Sequence, residues 1–404
     1  MLRPTLSPAP RVRTAQACIA DVFKPAAGLK SGPNPQKHPL FPNLLNQYLC
    51  ITMNTAPPPT VNNKAVVTWL IIGIAMIIVQ ILIGGITRLT ESGLSITEWK
   101  PITGMLPPLN QQDWLSEFEK YQSTDQFKYL HQHFSLSDFK FIYFWEWLHR
   151  AWARLIGIVF LVGFVYLLAK KKFNRKMILP MILLFALGAL QGLIGWIMVK
   201  SGLVPEKYYV GHIELTTHFI AALILLVYTL WFALSLMPSF NQKLILPSAK
   251  KLLWLITVLV FVQLCYGGFM AGLKAAQSAP TWPSINGHFL PPGLWEQQPP
   301  LSNFFNNNLM VHVMHRNMAY LLAFIVIAFF IITQRVQPHP LFRKLRVSFL
   351  LLLLIQIVLG IFTVTYAANP NAFTWFGVTH QFAAMLLVMT LTALLFLVRN
   401  QPAR

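Results

Sequence analysis

The chain has 404 residues, of which 55% are hydrophobic and only 11% are charged, and its mean hydropathy is +0.54. A soluble globular domain has about 25% charged residues, so these values exclude an ordinary soluble protein and indicate a chain that lives in a lipid bilayer. The net charge is +20, from 32 Lys and Arg against 12 Asp and Glu. The basic residues lie in short clusters between apolar stretches, which is typical of membrane orientation and not of nucleic-acid binding.

The first 65 residues are predicted to be a disordered N-terminal segment. They hold several arginines, many prolines and a single acid, Asp21. A scarcity of acids is typical of a mitochondrial transit peptide, but prolines oppose the amphipathic helix that such a peptide forms. Met53 offers a second start position, so a transit peptide and an upstream start both stay open as alternatives.

Eight apolar stretches come close to the roughly 20 residues that a helix needs to cross the bilayer. They cover residues 66–86, 142–169, 177–199, 214–236, 252–273, 310–333, 347–367 and 375–398. An even number of spans places both termini on one side. The termini and the loops on that side hold 21 Lys and Arg, against 8 in the opposite loops. The positive-inside rule therefore predicts that the termini face the cytoplasm or the mitochondrial matrix.

The last four spans repeat the first four. Spans two and six share a His-Arg pair, spans four and eight share a Thr-His pair, and every odd-numbered span has a Gln followed four residues later by a Gly. The Gln-x-x-x-Gly steps are interpreted as close helix packing with a hydrogen bond between helices. Because each copy has an even number of spans, the copies share an orientation, and their pseudo-twofold axis runs along the membrane normal.

The predicted fold is therefore an all-α integral membrane protein whose eight transmembrane helices form two pseudo-twofold-related four-helix bundles. The N-terminal bundle covers residues 66–236 and includes a long outer loop at 87–141. The C-terminal bundle covers residues 252–398.

Four of the eleven histidines occupy repeat-related positions: His149, His218, His315 and His380. Each lies in an even-numbered span within about two turns of its outer end, so all four are expected at one depth. An ionisable group in the membrane costs about 2.5–3.5 kcal/mol on insertion scales, so four at matched depth need a common cause. Opposing imidazoles in a helix bundle are a usual way to hold haem iron, which predicts two haem sites, one in each bundle.

Two arginines, Arg150 and Arg316, directly follow two of these histidines. A guanidinium at this depth is costly unless it meets an anion. A haem propionate would serve both arginines, and the carboxylate of Glu146 is the alternative partner for Arg150.

The halves differ at one position. Glu146 lies three residues before His149 and shares its helix face, whereas the matching position in the second half is His312. Only the first bundle therefore has an acid beside its predicted haem site. Proton transfer or stabilisation of charge on a substrate is one interpretation, and a structural ion pair with Arg150 or Arg154 is the other.

Two other histidine features raise alternatives. His312 lies three residues before His315 and could compete with it as a ligand, although the repeat favours His315. His131 and His133 form a His-x-His in the long outer loop that could bind a metal, but a solvated loop is the favoured interpretation.

Taken together, the motifs closely resemble the haem A synthase family, over about residues 66–398. They are GGITRLTESGLS at 84–95, Glu146-x-x-His149-Arg150, MVKSGL at 198–203, His315-Arg316 and Thr379-His380-Gln381. The long first outer loop is similar to that of the mitochondrial and proteobacterial branch of the family.

The resemblance implies an oxidoreductase that oxidises a peripheral methyl group of haem O to a formyl group, giving haem A for cytochrome c oxidase. It implies that the first bundle receives the substrate haem at His149, His218 and Arg150, with Glu146 catalytic. The second bundle would hold a haem B cofactor on His315 and His380, with Arg316 beside it. A haem O synthase would be the upstream partner.

Two rival functions stay open from the residues themselves. A bis-histidine membrane cytochrome that takes electrons from quinol would use the same four histidines, but it leaves Glu146 unexplained. A transporter built from parallel repeats would explain the duplication alone. The sequence does not identify the electron donor and leaves a homo-oligomer open. It favours a bacterial plasma membrane over a mitochondrial inner membrane.

Overall fold

The structure is a computed structural model that describes residues 63–98, 103–240, 244, 246–335 and 339–399. The predicted N-terminal segment lies outside the described residues, except for its last three positions.

Among the described residues, eight helices are long and apolar enough to span a membrane, which confirms the eight predicted spans. They are α1 (Lys64–Leu89), α2 (Leu136–Ala169), α3 (Arg175–Gly202), α4 (His212–Leu236), α5 (Pro247–Gly272), α6 (Asn308–Ile332), α7 (Pro340–Thr365) and α8 (Pro370–Leu397). Most ends agree with the predicted spans within a few residues, whereas α2 and α7 begin six and seven residues earlier than predicted.

Helix α2 extends beyond the predicted span because its true start is a polar capping box. The Ser135 side chain accepts a hydrogen bond from the backbone N–H of Asp138, and the Asp138 carboxylate accepts one from the backbone N–H of Ser135. This reciprocal pair satisfies orphan N–H groups at the first turn. Hydropathy alone missed it, since Asp138 and Lys140 make the first turns of α2 polar.

Each half packs around its first and last helices. In the first half, α1 packs on α2 and on α4, and α3 packs on α4; in the second half, α5 packs on α6 and on α8, and α7 packs on α8. Between the halves, α1 packs on α8 and α4 packs on α5. Exchanging the halves turns one of these two contacts into the other, as the expected pseudo-twofold axis requires.

Paired glycines allow the close approach of the two halves. A Cβ atom at Gly85 of α1 would lie 2.5 Å from Oε1 of Gln381 on α8, and a Cβ atom at Gly268 of α5 would lie 2.5 Å from Oγ1 of Thr216 on α4. The Gln381 amide also donates to the main-chain oxygen of Ile81, at 2.9 Å. A side chain at either glycine would force Gln381 or Thr216 to move, so the small residues allow the helices to approach closely.

The halves differ on the side away from their interface. Helices α6 and α7 pack on each other, whereas α2 and α3, their counterparts, make no extended contact among the described residues. Both α2 and α3 carry many exposed apolar side chains, such as Leu161 and Leu193. The first bundle is therefore open toward lipid between α2 and α3.

The long outer loop is largely folded. Its described part contains two short α-helices, Gln111–Gln122 and Asp125–Leu130. These helices pack on the outer end of α2 through an aromatic cluster built on Tyr121, Phe139 and Tyr143. The outer end of the first bundle is thus covered by a cap.

Candidate functional site

The four repeat-related histidines each lie against a glycine of a neighbouring helix. A Cβ atom at Gly84 would lie 3.0 Å from Nε2 of His149, and the matching glycines stand similarly close to the other three rings. The distances to Cε1 are 2.8 Å from Gly195 to His218, 3.4 Å from Gly267 to His315 and 2.9 Å from Gly360 to His380. All four glycines lie near the outer ends of the odd-numbered helices, so the four rings share one depth.

The rings also group in pairs, one pair in each half. His149 and His218 lie near enough for a charge on His218 to act on His149, and His380 stands in the same relation to His315. In the second half, one apolar cavity of about 60 Å³ is bordered by Gln263 and Gln356, the glutamines that contact His315 and His380. The described residues contain no group of three His, Cys, Asp or Glu side chains that could hold a bare metal ion.

The glutamine one turn before each of these glycines reaches the same histidine. In the first half, the amides of Gln80 and Gln191 donate to the main-chain oxygens of His149 and His218, each at 3.1 Å. In the second half, the amides of Gln263 and Gln356 contact the rings of His315 and His380, at 3.2 and 3.1 Å.

Each of these glutamines also has one buried polar atom without a hydrogen-bond partner. The side-chain oxygens of Gln80, Gln191, Gln263 and Gln356 are all buried without a hydrogen-bond partner. The sequence predicted only helix packing for the Gln-x-x-x-Gly steps. It missed that they support the histidines, although their spacing from the repeat-related histidines could have shown it.

Glu146 is a buried carboxylate with three donors. Its Oε2 atom accepts hydrogen bonds from the Ser95 hydroxyl at 2.7 Å and from the backbone N–H of Ile96 at 2.8 Å. Its Oε1 atom accepts from the Arg150 guanidinium at 2.6 Å. The side chain is only 3% exposed. Glu146 is therefore a direct partner of Arg150.

His312 occupies the matching place in the second half and bonds in the same way. Its Nε2 atom lies 3.0 Å from the Arg316 guanidinium, just as Glu146 bonds to the arginine four residues later. His312 is buried and engaged with Arg316, whereas His315 contacts Gln263 and Gly267. His315 thus shares the contacts of the other three repeat-related histidines, whereas His312 shares those of Glu146.

The two arginines fasten equivalent outer loops. Arg150 donates to the main-chain oxygens of Ile96 and Glu98, at 3.1 and 3.4 Å. Arg316 donates to the main-chain oxygens of Thr281, Pro283 and Ser284, at 2.9 to 3.1 Å. Each loop is thereby held on the outer end of its bundle by a buried or nearly buried arginine.

A cavity of about 380 Å³ lies at the outer end of the first bundle, where α2 and α3 diverge. It is lined by the loop at Ile96 to Glu98, by Arg150 of α2 and by Trp196, Val199 and Lys200 of α3. The Lys200 ammonium stands 4.2 Å from the centre of the Trp196 ring. The position that matches Lys200 in the second half is Thr365, so this added cation belongs to the first half alone.

An ionic network joins the halves on the outer side. The Glu91 carboxylate, just after α1, contacts the Lys274 ammonium, just after α5, and lies 3.5 Å from Nε2 of His131. Lys274 also bonds to the Tyr209 hydroxyl at 2.6 Å. The His131 hydrogen bond, followed by Lys274, lowers the pKa of Glu91 to about 2.

His131 differs from the prediction that it would lie in a solvated loop. Its ring is buried, lies 2.6 Å from the Tyr121 hydroxyl and stacks on Phe134. His133 is exposed, as predicted. The outer cap buries His131 because its helices pack on α2, which the hydropathy of the loop did not indicate.

Comparison with known proteins gives a consistent set of relatives. The family model described as cytochrome oxidase assembly protein, COX15-CtaA, matches residues 67–392. A haem A synthase of Flavobacterium psychrophilum is 37% identical over 338 residues, which cover 82% of this chain and 97% of the relative. A haem A synthase of Nitrosomonas eutropha is 38% identical over 332 residues, which cover 81% and 92%. One of Rhodospirillum centenum is 43% identical over 269 residues, which cover 66% and 71%.

Proposed function

The chain belongs to the COX15-CtaA family of cytochrome oxidase assembly proteins, and we propose that it is a haem A synthase, the activity for which its relatives are named. The reaction is the oxidation of a peripheral methyl group of haem O to a formyl group. The observation that carries this proposal is the asymmetry between two matched histidine pairs. Glu146 stands beside one pair and His312 beside the other.

The residues of both pairs fit an iron porphyrin. Paired imidazoles are usual axial ligands for haem iron, and each ring lies against a glycine of the neighbouring helix. Both pairs lie inside four-helix bundles, a usual setting for haem.

The two sites are assigned different haems. His149 and His218 of the first bundle bind the substrate haem O, since Glu146 and the opening between α2 and α3 lie there. His315 and His380 of the second bundle hold a haem B cofactor, which supplies one-electron redox chemistry when it is bound. Arg150 and Arg316 hold the outer loops over the two sites.

Glu146 places a negative charge at the outer end of the substrate site. Its oxygens are occupied by Arg150, Ser95 and Ile96, so it is poorly placed to take a proton from the substrate. The geometry therefore supports the other duty considered for it, which is to stabilise positive charge that develops on the substrate.

The opening between α2 and α3 supports entry of the substrate from the bilayer. Both helices carry exposed apolar side chains. The cavity at the outer end of the opening is lined by two cations, Lys200 and Arg150. An amphiphilic porphyrin has an apolar body and carboxylate groups on one edge, which suits an apolar cleft with cations at its outer end. We assign Lys200 to a carboxylate of the substrate, since Arg150 already has Glu146.

The decisive experiment expresses the chain together with a haem O synthase in a host without haem A, and analyses the extracted haems for a formyl porphyrin. The wild type is expected to produce it. Glu146→Gln is expected to abolish the formyl product and to keep the haem of the second bundle, because Gln preserves the size of the side chain and removes its charge.

The matched control is His312→Gln at the repeat-related position. It should keep formyl production, because a neutral amide can still contact Arg316. Full activity of Glu146→Gln would overturn the assignment of Glu146. Absence of the formyl product from the wild type would instead favour the bis-histidine cytochrome, which also binds haem but leaves its methyl groups untouched.

We also propose that the chain resides in a bacterial plasma membrane with its termini in the cytoplasm, and that a haem O synthase is its upstream partner. The surplus of Lys and Arg on one side supports the orientation, and the relatives named above are bacterial. A reporter that is active only in the cytoplasm, fused to the C-terminus, tests the orientation. An inactive reporter on a stable fusion would contradict it.

A further inference from the structure

A buried arginine lies on the packed face of α7, near the end of this helix on the inner side, where the termini are predicted to lie. The buried residues of α7 share one helix face and are Phe342, Arg346, Phe349 and Leu353. Arg346 is only 9% exposed, and its guanidinium carbon lies 4.8 Å from the centre of the Phe330 ring of α6. The guanidinium thus lies where α7 packs on α6.

The first half shows that helix packing does not require a cation at this position. When the Gln-x-x-x-Gly steps of α3 and α7 are aligned, the buried residues of the two helices coincide. The matching pairs are Met177 and Phe342, Met181 and Arg346, and Leu184 and Phe349. Met181 is 2% exposed, so an apolar side chain fills this position in the first half. The charge of Arg346 needs a reason other than packing.

Arg346 has no anionic partner among the described residues. The ring of Phe330 is its only described contact partner of this kind, and its Nε atom is buried without a hydrogen-bond partner. All acids of the chain except Asp21 lie in the outer loops or the outer halves of the helices, and Asp21 is outside the described residues. Because a buried guanidinium is destabilising unless an anion meets it, we expect an anion from outside the chain.

A second arginine stands one turn nearer the start of α7. Arg343 is exposed, and it lies near enough for its charge to act on Arg346. Like charges at this spacing on a helix repel each other, and an anion beside both would offset the repulsion. A phosphate group suits such a pair, since guanidinium N–H groups bind phosphate oxygens in a fork.

We propose that Arg346 and Arg343 bind the phosphate of an anionic phospholipid in the inner leaflet. The source is a lipid because α7 is a membrane span of 26 residues, longer than the roughly 20 that the hydrocarbon core needs, so its first turns lie among the headgroups. Basic pockets between membrane helices on this side bind anionic headgroups. The lipid would stabilise the contact between α6 and α7, which α2 and α3 lack. This inference does not depend on the haem assignments.

The experiment measures lipid binding to the purified full-length protein by native mass spectrometry. Phosphatidylglycerol, phosphatidylcholine and inorganic phosphate are added separately. The wild type should bind one phosphatidylglycerol per chain in preference to the other two. Arg346→Met, which introduces the residue found at Met181, should bind it about tenfold more weakly, the effect of one charge-assisted hydrogen bond. Arg346→Lys keeps a cation without the fork and should bind with intermediate affinity.

Arg175→Met is the matched control, because Arg175 is an exposed arginine at the start of α3 on the same side of the membrane. It should bind phosphatidylglycerol as the wild type does. Equal weakening in Arg175→Met and Arg346→Met would show that net charge attracts the lipid and would overturn the proposal. So would a wild type without preference for phosphatidylglycerol, or one that binds only inorganic phosphate.

Unfolding temperatures in detergent separate a lipid site from an ion pair within the chain. Without lipid, Arg346→Met should be at least as stable as the wild type, since an apolar residue replaces an unpaired charge. Phosphatidylglycerol should raise the unfolding temperature of the wild type and not that of the variant. A carboxylate of the chain as the partner, such as Asp21, predicts instead a purified variant that is less stable without lipid and a wild type that does not respond to lipid. That result would overturn the proposal.

Discussion

Glu146 and His312 occupy the same position in the two halves, and each bonds to the arginine four residues later, at 2.6 and 3.0 Å. Helices α2 and α6 thus have the same contact geometry at this position, although α2 has an acid there and α6 has an imidazole. In both halves the arginine extends the contact to the outer loop, through the oxygens of Glu98 and Thr281. These two loop positions are themselves repeat-related, so the whole unit of helix, arginine and loop was copied.

Removing the arginine should therefore cost more in the first half than in the second. Arg150→Gln leaves the buried Glu146 carboxylate without its cationic partner, which costs about 3 kcal/mol, the lower end of the range for a broken buried pair, because Ser95 and Ile96 still donate. Arg316→Gln leaves a neutral histidine and costs about 1–3 kcal/mol. Thermal unfolding in detergent measures both. A larger loss in Arg316→Gln would show that the charge of Glu146 adds little to the contact.

The glycines beside His315 and His380 should differ in their tolerance of a methyl group. A Cβ atom at Gly360 would lie 2.9 Å from His380, and one at Gly267 would lie 3.4 Å from His315. Gly360→Ala should therefore displace its ring and lower the haem content of the second bundle severalfold, whereas Gly267→Ala should change it little. The measurement is the haem content per chain of the two purified variants.

Gly188→Ala is the control for this comparison, since a Cβ atom there would meet nothing within 4 Å. It tests the effect of an added methyl group in a membrane helix away from the rings. If Gly188→Ala lost as much haem as Gly360→Ala, the loss would arise from the helix and not from the ring contact.

Most of the fold could be predicted from the sequence. Membrane spans depend on composition over about 20 residues, and repeated motifs in the two halves show the duplication. The start of α2 at Leu136 could not be predicted, because it depends on a polar capping box outside the apolar stretch. The folded outer cap was missed for a similar reason. Its aromatic residues, such as Tyr121, are interspersed with charges and form a core only against α2.

The candidate site was predicted at the level of residue type and not of contact. The repeat pointed to the four histidines, and the difference between Glu146 and His312 at matching positions pointed to Glu146; their roles stay predictions. The partner of Arg150 could not be chosen from the sequence, because a carboxylate four residues away and a propionate satisfy a guanidinium equally well. The contacts of Gln191 and Gln356 with His218 and His380 also needed coordinates, since the sequence gives only their spacing to glycine.

Lys200 should matter for the substrate and not for the cofactor. It lines the cavity between α2 and α3, and its counterpart in the second half is Thr365. The proposed contact is a charge-assisted hydrogen bond from Lys200 to a carboxylate of the substrate, and Lys200→Gln would remove it, so the formyl yield at limiting haem O should fall about tenfold. The second haem should stay at its wild-type content.

Lys207→Gln is the matched control for Lys200, because Lys207 is a basic residue of the same outer loop region outside the cavity lining. It should leave the formyl yield unchanged. Equal losses in both variants would indicate a general effect of outer-side charge and would contradict a specific contact at Lys200.

The ionic network around Glu91 should make the contact between the halves sensitive to acid. The groups that face Glu91 are His131, Lys274, Arg88 and Tyr121, and Tyr209 bonds to Lys274. Folding lowers the pKa of Glu91 from 4.5 to about 2, through the His131 hydrogen bond first and Lys274 second. A lowered pKa stabilises the folded state above pH 4.5, and this stabilisation is lost as the pH falls from 4.5 toward 2.

Glu91→Gln should therefore be less stable than the wild type at pH 7, by about 1 kcal/mol once solvent screening of this partly exposed group is considered. The difference between the two proteins should shrink as the pH falls below 4.5, because the wild-type carboxylate becomes protonated while the amide does not change. Unfolding temperatures measured in detergent between pH 7 and pH 3 provide the comparison. A difference that stays constant over this range would mean that the ionised carboxylate does not stabilise the contact between the halves.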